Sequence, residues 1–214
     1  MLYMICGGAA CGKSAYAEAL ALALPGPKYY LATMDPGEPG AESKIARHRA
    51  LRRGKGFATL EQPRNMGALE PDRDGVLLLE CLTTLTANEC FGPEGFENAE
   101  DRIVSGLLAL AKKCRHLVVV AGDLGRDGDS WPDLTGQYLS VLAACECRLA
   151  EKADFVTEVC CGIPMPLKGE LPLGDPCCAP AICAFPCTAS CPPFPPGGTL
   201  PTCGMCSVFS PWWV

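Results

Sequence analysis

The segment Gly7-Gly8-Ala9-Ala10-Cys11-Gly12-Lys13-Ser14 has the residue types and the spacing of a phosphate-binding loop, G-x-x-x-x-G-K-[ST]. Its glycines let the backbone wrap around phosphate oxygens with N–H groups pointing inward, and a helix starting there adds a favourable dipole. Lys13 would neutralise the β- and γ-phosphates, and the Ser14 hydroxyl would ligate Mg²⁺. The bland alternative is a glycine turn without function. Because the loop joins an apolar run to an alanine- and leucine-rich run, its context favours nucleotide binding. Two further groups carry chemistry. Glu80 closes the apolar run Val76-Leu-Leu-Leu-Glu80, where a carboxylate would stand near the metal and the reacting hydroxyl; the alternative is a strand-end glutamate in solvent. His48 lies within Lys44-Ile-Ala-Arg47-His48-Arg49-Ala-Leu-Arg52-Arg53. Flanking cations disfavour imidazolium, which leaves a neutral ring with a free lone pair, a candidate nucleophile for phosphorus. Arg47, Arg49 and Arg52 would hold the phosphates. On spacing alone, a solvated basic helix face that happens to contain a histidine is the stronger reading.

These groups need a scaffold. Leu2–Cys6 reads as a strand, Lys13–Leu24 as a helix closed by Pro25-Gly26-Pro27, and Tyr29–Thr33 as a second buried strand. A basic, helix-permissive stretch covers Glu42–Arg53, and Phe57–Glu61 is a third strand candidate. Val76–Glu80 is a strand followed by a helical segment through Thr83, Thr86 and Asn88; residues 99–115 form an amphipathic helix. Leu117–Ala121 is another buried strand, Asp133–Lys152 a helix and Phe155–Cys160 a last strand. Strands alternating with helices over short connections predict an α/β domain with a mainly parallel sheet. The second histidine, His116, reads as a surface or helix-end residue.

Composition narrows the class. The chain has 214 residues and a net charge of −6, from 18 Lys+Arg against 24 Asp+Glu. This balance argues against nucleic-acid binding, which needs a basic field. No apolar run approaches a membrane span, and Met1–Cys6 runs into glycines without a basic n-region or cleavage site. The reading is a cytoplasmic protein. Sixteen cysteines would mark a disulfide scaffold in a short secreted chain. Here nine of them fall in residues 1–169, several in apolar runs where a reduced thiol packs as a small hydrophobe. The other seven share residues 170–214 with ten prolines and no lysine or arginine. Only Cys203-Gly-Met-Cys206 has the C-x-x-C spacing of a metal site and no second pair accompanies it, so the tail reads as a poorly ordered extension of unknown role.

In order, Gly7-Gly-Ala-x-x-Gly-Lys-Ser14, Tyr30-Leu-Ala-Thr33, Lys44-Ile-x-x-His48-Arg49, Phe57-Ala-Thr-Leu-Glu61, Leu78-Leu-Glu80-Cys-Leu-Thr83 with Asn88, and Cys161-Gly-Ile-Pro-Met-Pro-Leu-Lys-Gly169 make a narrow combination. Over residues 1–169 it resembles the bifunctional adenosylcobinamide kinase / adenosylcobinamide-phosphate guanylyltransferase family of cobalamin biosynthesis. The resemblance implies a RecA-like P-loop NTPase fold of three layers, assembled as a homo-oligomer, a trimer in the best-known case. It implies phosphorylation of adenosylcobinamide by ATP or GTP, then transfer of GMP from GTP to adenosylcobinamide phosphate through a guanylyl-histidine. His48 matches the nucleophile, which reverses the preference from spacing alone. Gly7 to Ser14 match the phosphate loop, Ala32, Thr33 and Met34 the segment after the second strand, and Glu61 and Glu80 the acids of nucleotide and Mg²⁺ binding.

The chain departs from the family pattern at two places. Where the family often has Thr-Asn-Glu-Val, this sequence reads Ala121-Gly122-Asp123-Leu124, and an expected asparagine is replaced within Cys145-Glu-Cys147. If those positions serve the second substrate or the γ-phosphate, one activity would be weakened. Two rival readings follow, another small-molecule P-loop kinase and a non-catalytic nucleotide-binding regulatory protein.

Overall fold

The structure, a computed structural model, describes residues 1–34, 54–124 and 131–173. Seven strands form one sheet: β1 (Leu2–Cys6), β2 (Lys28–Ala32), β3 (Ala58–Glu61), β4 (Val76–Glu80), β5 (His116–Val120), β6 (Phe155–Cys160) and β7 (Ile163–Lys168). Their order is β3-β2-β4-β5-β1-β6-β7, with every pair parallel except β6–β7. Among the described residues the α-helices are α1 (Lys13–Ala23), α2 (Leu82–Cys90), α3 (Ala99–Lys113) and α4 (Asp133–Lys152). The mainly parallel α/β sheet expected from the sequence is observed.

Strand composition explains strand position. Leu77, Leu78 and Leu79 of β4 and Val118, Val119 and Val120 of β5 are all buried, as an unbroken aliphatic run must be when helices cover both faces. Each contributes roughly 1.5–3 kcal/mol by burial. Alternation divides them between two cores. Leu77, Leu79, Leu117 and Val119 join the side chains of α3 and α4, whereas Val76, Leu78, Val118 and Val120 join Tyr16, Ala17, Leu20 and Ala21 of α1. Helix α1 buries that stripe against β1, β4, β5 and β6 and stops at Leu24, whose N–H still bonds the Leu20 carbonyl, just before Pro25.

Two expectations are corrected. Phe155–Cys160 is not the last strand: β7 folds back on it as an antiparallel edge. Pro164 and Pro166 argue against a strand in the interior of a sheet, but an edge tolerates them because their missing N–H groups cost no ladder bond. His116 is not a surface residue. It opens β5 and is buried, its ring 5.8 Å from that of Tyr3. Burial first, then the N-terminal amine, Arg115 and Lys28, hold its pKa below the ordinary imidazole value. The basic stretch Glu42–Arg53 lies outside the described residues.

Candidate active site

Parallel strands point their carboxyl ends the same way, and ligands of such sheets bind beyond those ends. Register makes this concrete. Glu61 of β3 stands beside Ala32 of β2, Ala32 beside Glu80 of β4, Glu80 beside Val120 of β5, and Val120 beside Ile5 of β1. Three of the sequence-derived site residues, from three strands, thus fall on one line across the sheet.

The phosphate loop leaves β1 at the same edge. Gly7 has φ +148°, and a Cβ there would stand 2.4 Å from the Val159 carbonyl oxygen. Only glycine fits. Gly12, the N-cap of α1, is left-handed at φ +95° and faces Gly162. Two backbone bonds fix the loop: Gly162 N–H donates to the Cys11 carbonyl at 2.8 Å, and Asp123 N–H to the Gly7 carbonyl at 3.1 Å. The Lys13 ammonium arches over the loop to the Gly8 carbonyl at 2.9 Å. No acid sits in the first turn of α1, so no carboxylate of the helix itself offsets the positive end of its dipole.

A cavity of about 380 Å³ lies above this edge. Ala9, Lys13 and Ser14 line its loop side, Ala32, Thr33 and Met34 its β2 side, with Glu61 and Glu80. These expected site residues therefore share one cavity. Gly7, Gly8, Ala10, Cys11 and Gly12 shape the loop without being among its lining residues. His48, Arg49 and Arg52 lie outside the described residues.

The cavity has members the sequence reading did not assign to the site. Tyr30 lies two residues before Ala32, on the same face, and its hydroxyl donates to Glu80 Oε2 at 2.6 Å. Thr59 stands two residues before Glu61 in the same way. The signal was the period of 2: a polar tip inside an apolar strand, in phase with a site residue. Cys81, Thr83 and Thr84 line the wall, where the Cys81 thiol is 2.6 Å from Thr83 Oγ1 and 3.2 Å from Thr84 Oγ1. The Glu80–Cys81 peptide is cis. Asn88 on α2 donates to the Thr33 carbonyl at 2.6 Å and the Pro63 carbonyl at 3.0 Å, tying the segments after β2 and β3 together. Tyr138 of α4 donates to the Thr83 carbonyl at 3.1 Å, and its pKa is pushed up to about 12, first by burial, then by Cys81, Cys90 and Glu146.

The departures from the family pattern separate spatially. Gly122, Asp123 and Leu124 line the cavity, whereas none of Cys145, Glu146 and Cys147 does. Cys145 is fully buried in the core. The buried cysteines Cys90, Cys114 and Cys145 are free thiols. Burial pushes the Cys114 thiol up to about 11 and that of Cys145 up to about 12, so both pack as inert hydrophobes.

A family model described as cobinamide kinase / cobinamide phosphate guanyltransferase matches residues 3–167. The chain belongs to this family. Among curated relatives, the bifunctional adenosylcobalamin biosynthesis protein CobP of Pseudomonas aeruginosa is 31% identical over 172 residues, covering 78% of this chain and 97% of that protein. The protein CobU of Salmonella typhimurium is 28% identical over 183 residues, covering 78% of this chain and 100% of its own length. CobU of Escherichia coli is 26% identical with the same coverage. As a cobinamide kinase / guanyltransferase family member, the chain keeps the phosphate loop and the row of acids in one cavity. Among the described residues, no helix is long and apolar enough to cross a membrane.

Proposed function

We propose that this chain phosphorylates adenosylcobinamide with ATP or GTP, and then guanylylates the product from GTP to give adenosylcobinamide-GDP. The observation that carries the reading is the convergence of Lys13, Ser14, Glu61 and Glu80 on one cavity in a member of this family. In the first reaction the acceptor hydroxyl oxygen attacks the γ-phosphorus, the bond to the β,γ-bridging oxygen breaks, and the nucleoside diphosphate leaves. Glu80, oriented by Tyr30, receives the hydroxyl proton. Lys13 follows the charge on the transferring phosphoryl group. In the second, an imidazole nitrogen of His48 attacks the α-phosphorus of GTP and pyrophosphate leaves, with Arg49 and Arg52 neutralising it. The phosphate of adenosylcobinamide phosphate then attacks the same phosphorus and frees the neutral imidazole.

The donor set suits Mg²⁺. Ser14 and Glu80 offer oxygen ligands in the same cavity, and among the described residues no group of three His, Cys, Asp or Glu side chains is arranged as a metal cage. A hard cation shared between one or two protein oxygens and nucleotide phosphates has this requirement; when bound it neutralises phosphate charge. The family likeness also supports a cytoplasmic homo-oligomer, a trimer, with residues 1–169 carrying both activities. The test is phosphoryl transfer from labelled ATP to adenosylcobinamide. Wild-type protein is expected to form adenosylcobinamide phosphate and Lys13→Ala to lose at least about 100-fold in rate; an unchanged Lys13→Ala rate would refute the assignment.

A further inference from the structure

The cavity of about 380 Å³ is near the lower end of pockets that enclose a single small ligand. Its loop end is committed to nucleotide phosphates, so a corrin macrocycle cannot also fit inside. Only the hydroxyl-bearing arm of such an acceptor can enter, and its ring must rest on the surface around the mouth. Several large apolar side chains are exposed among the described residues. Leu124 lines the cavity yet is 52% exposed. Phe91, just past α2, is 59% exposed, Leu134 on α4 is 60% exposed, and Trp131 just before α4 is 46% exposed.

These side chains are linked to the cavity wall. The Tyr138 hydroxyl donates to the Thr83 carbonyl at 3.1 Å, and Thr83 lines the cavity. The Phe91 ring lies 6.0 Å from that of Tyr138, and Phe96 meets Phe91 edge-on at 5.3 Å. Leu134 stands one turn before Tyr138 on the same face of α4. None of these groups serves phosphate chemistry. Exposed apolar side chains gathered about one ring, itself bonded to the cavity wall, are candidates for a binding face.

We propose that Phe91, Leu134 and Leu124, backed by Tyr138, form the platform on which the flat face of the corrinoid acceptor lies while its arm reaches the phosphate loop. The inference rests on the reading under Proposed function. Aromatic and branched aliphatic faces offer dispersion and desolvation to a broad planar ring without demanding hydrogen bonds from it. Tyr138 has its hydroxyl committed to Thr83, which leaves its ring to support Phe91. A second copy of this chain is the competing occupant. Continuity with the reaction cavity through Leu124 and Thr83 favours the substrate.

The test uses the full chain with Phe91→Ser and Leu134→Ser, singly and together, plus Leu134→Gln as a milder change at an exposed position. With ATP saturating and adenosylcobinamide varied, the double variant should raise the KM for adenosylcobinamide about tenfold, as loss of an aromatic anchor does, with kcat and the KM for ATP held within about twofold. Formation of the covalent guanylyl adduct from α-labelled GTP, measured without corrinoid, should keep the wild-type rate. A wild-type KM for adenosylcobinamide in all variants overturns the platform. So does an equal loss in adduct formation, or a change of oligomeric state with KM unmoved, which would make the face a self-interface. Wild-type protein that turns over no adenosylcobinamide refutes the functional reading and the platform together; wild-type turnover with unaffected variants refutes the platform alone.

Discussion

Two adjacent glycines of the phosphate loop should respond very unequally to the same substitution. At Gly7, φ is +148°, and an added methyl would meet the Val159 carbonyl oxygen at 2.4 Å and the Cys11 sulfur at 2.8 Å. The sulfur can rotate away, whereas the carbonyl is main chain of β6, where Val159 pairs with Pro164 of β7, and cannot shift without disturbing the strand. The disfavoured backbone conformation and the overpacking each cost on the order of 1–3 kcal/mol, so Gly7→Ala should lose roughly 2–6 kcal/mol of stability. At Gly8 a methyl meets nothing within 4 Å, and Gly8→Ala should stay within about 0.5 kcal/mol of wild type. Urea denaturation of both variants measures the difference. In a thermal melt it should appear as a drop of roughly 4–24 °C for Gly7→Ala alone. Equal stability of the two variants, or a Gly7→Ala protein as stable as wild type, would refute the claim that the turn from β1 into the loop is sterically determined by β6.

Tyr30→Phe removes the hydrogen bond to Glu80 while keeping the ring. It should lower stability by about 0.5–1.5 kcal/mol and the phosphoryl-transfer kcat about five- to tenfold; an unchanged kcat would show that Glu80 needs no orientation by Tyr30. His116 has a folded pKa below its unfolded value of about 6.5. The unfolded state therefore binds the proton more readily, and this contribution to stability is full above about pH 6.5 and shrinks as pH falls toward the lowered folded value. His116→Gln should flatten the urea midpoint against pH between about 7 and 5 relative to wild type; parallel profiles would contradict a buried neutral imidazole.

The sequence read well where one local rule dominated. The β4 and α4 bounds, Val76–Glu80 and Asp133–Lys152, coincide with the observed elements, because an uninterrupted aliphatic strand and a long amphipathic helix each carry one strong period. β7 was missed because Pro164 and Pro166 speak against a strand until its edge position is known. His116 was misplaced because a histidine next to Arg115 looks solvent-facing, and nothing local shows that β5 begins one residue earlier, under Tyr3. Within the cavity, Lys13 and Ser14 were legible from the motif, Glu80 from its strand-end position, and Glu61 from the family resemblance alone. Tyr30 and Thr59 were not, since their membership depends on the register of β2, β3 and β4. The departure at Gly122-Asp123 gains weight from its place in the cavity wall. The one at Cys145 reduces to core packing.

The central claim is tested most directly by incubating the full chain with α-labelled GTP, isolating the protein, and adding adenosylcobinamide phosphate. The expected product is an acid-labile, histidine-linked GMP adduct that maps to His48, is absent from His48→Ala, and is discharged into adenosylcobinamide-GDP. No adduct on wild-type protein, an adduct that survives His48→Ala, or a label that the acceptor cannot discharge would contradict that claim.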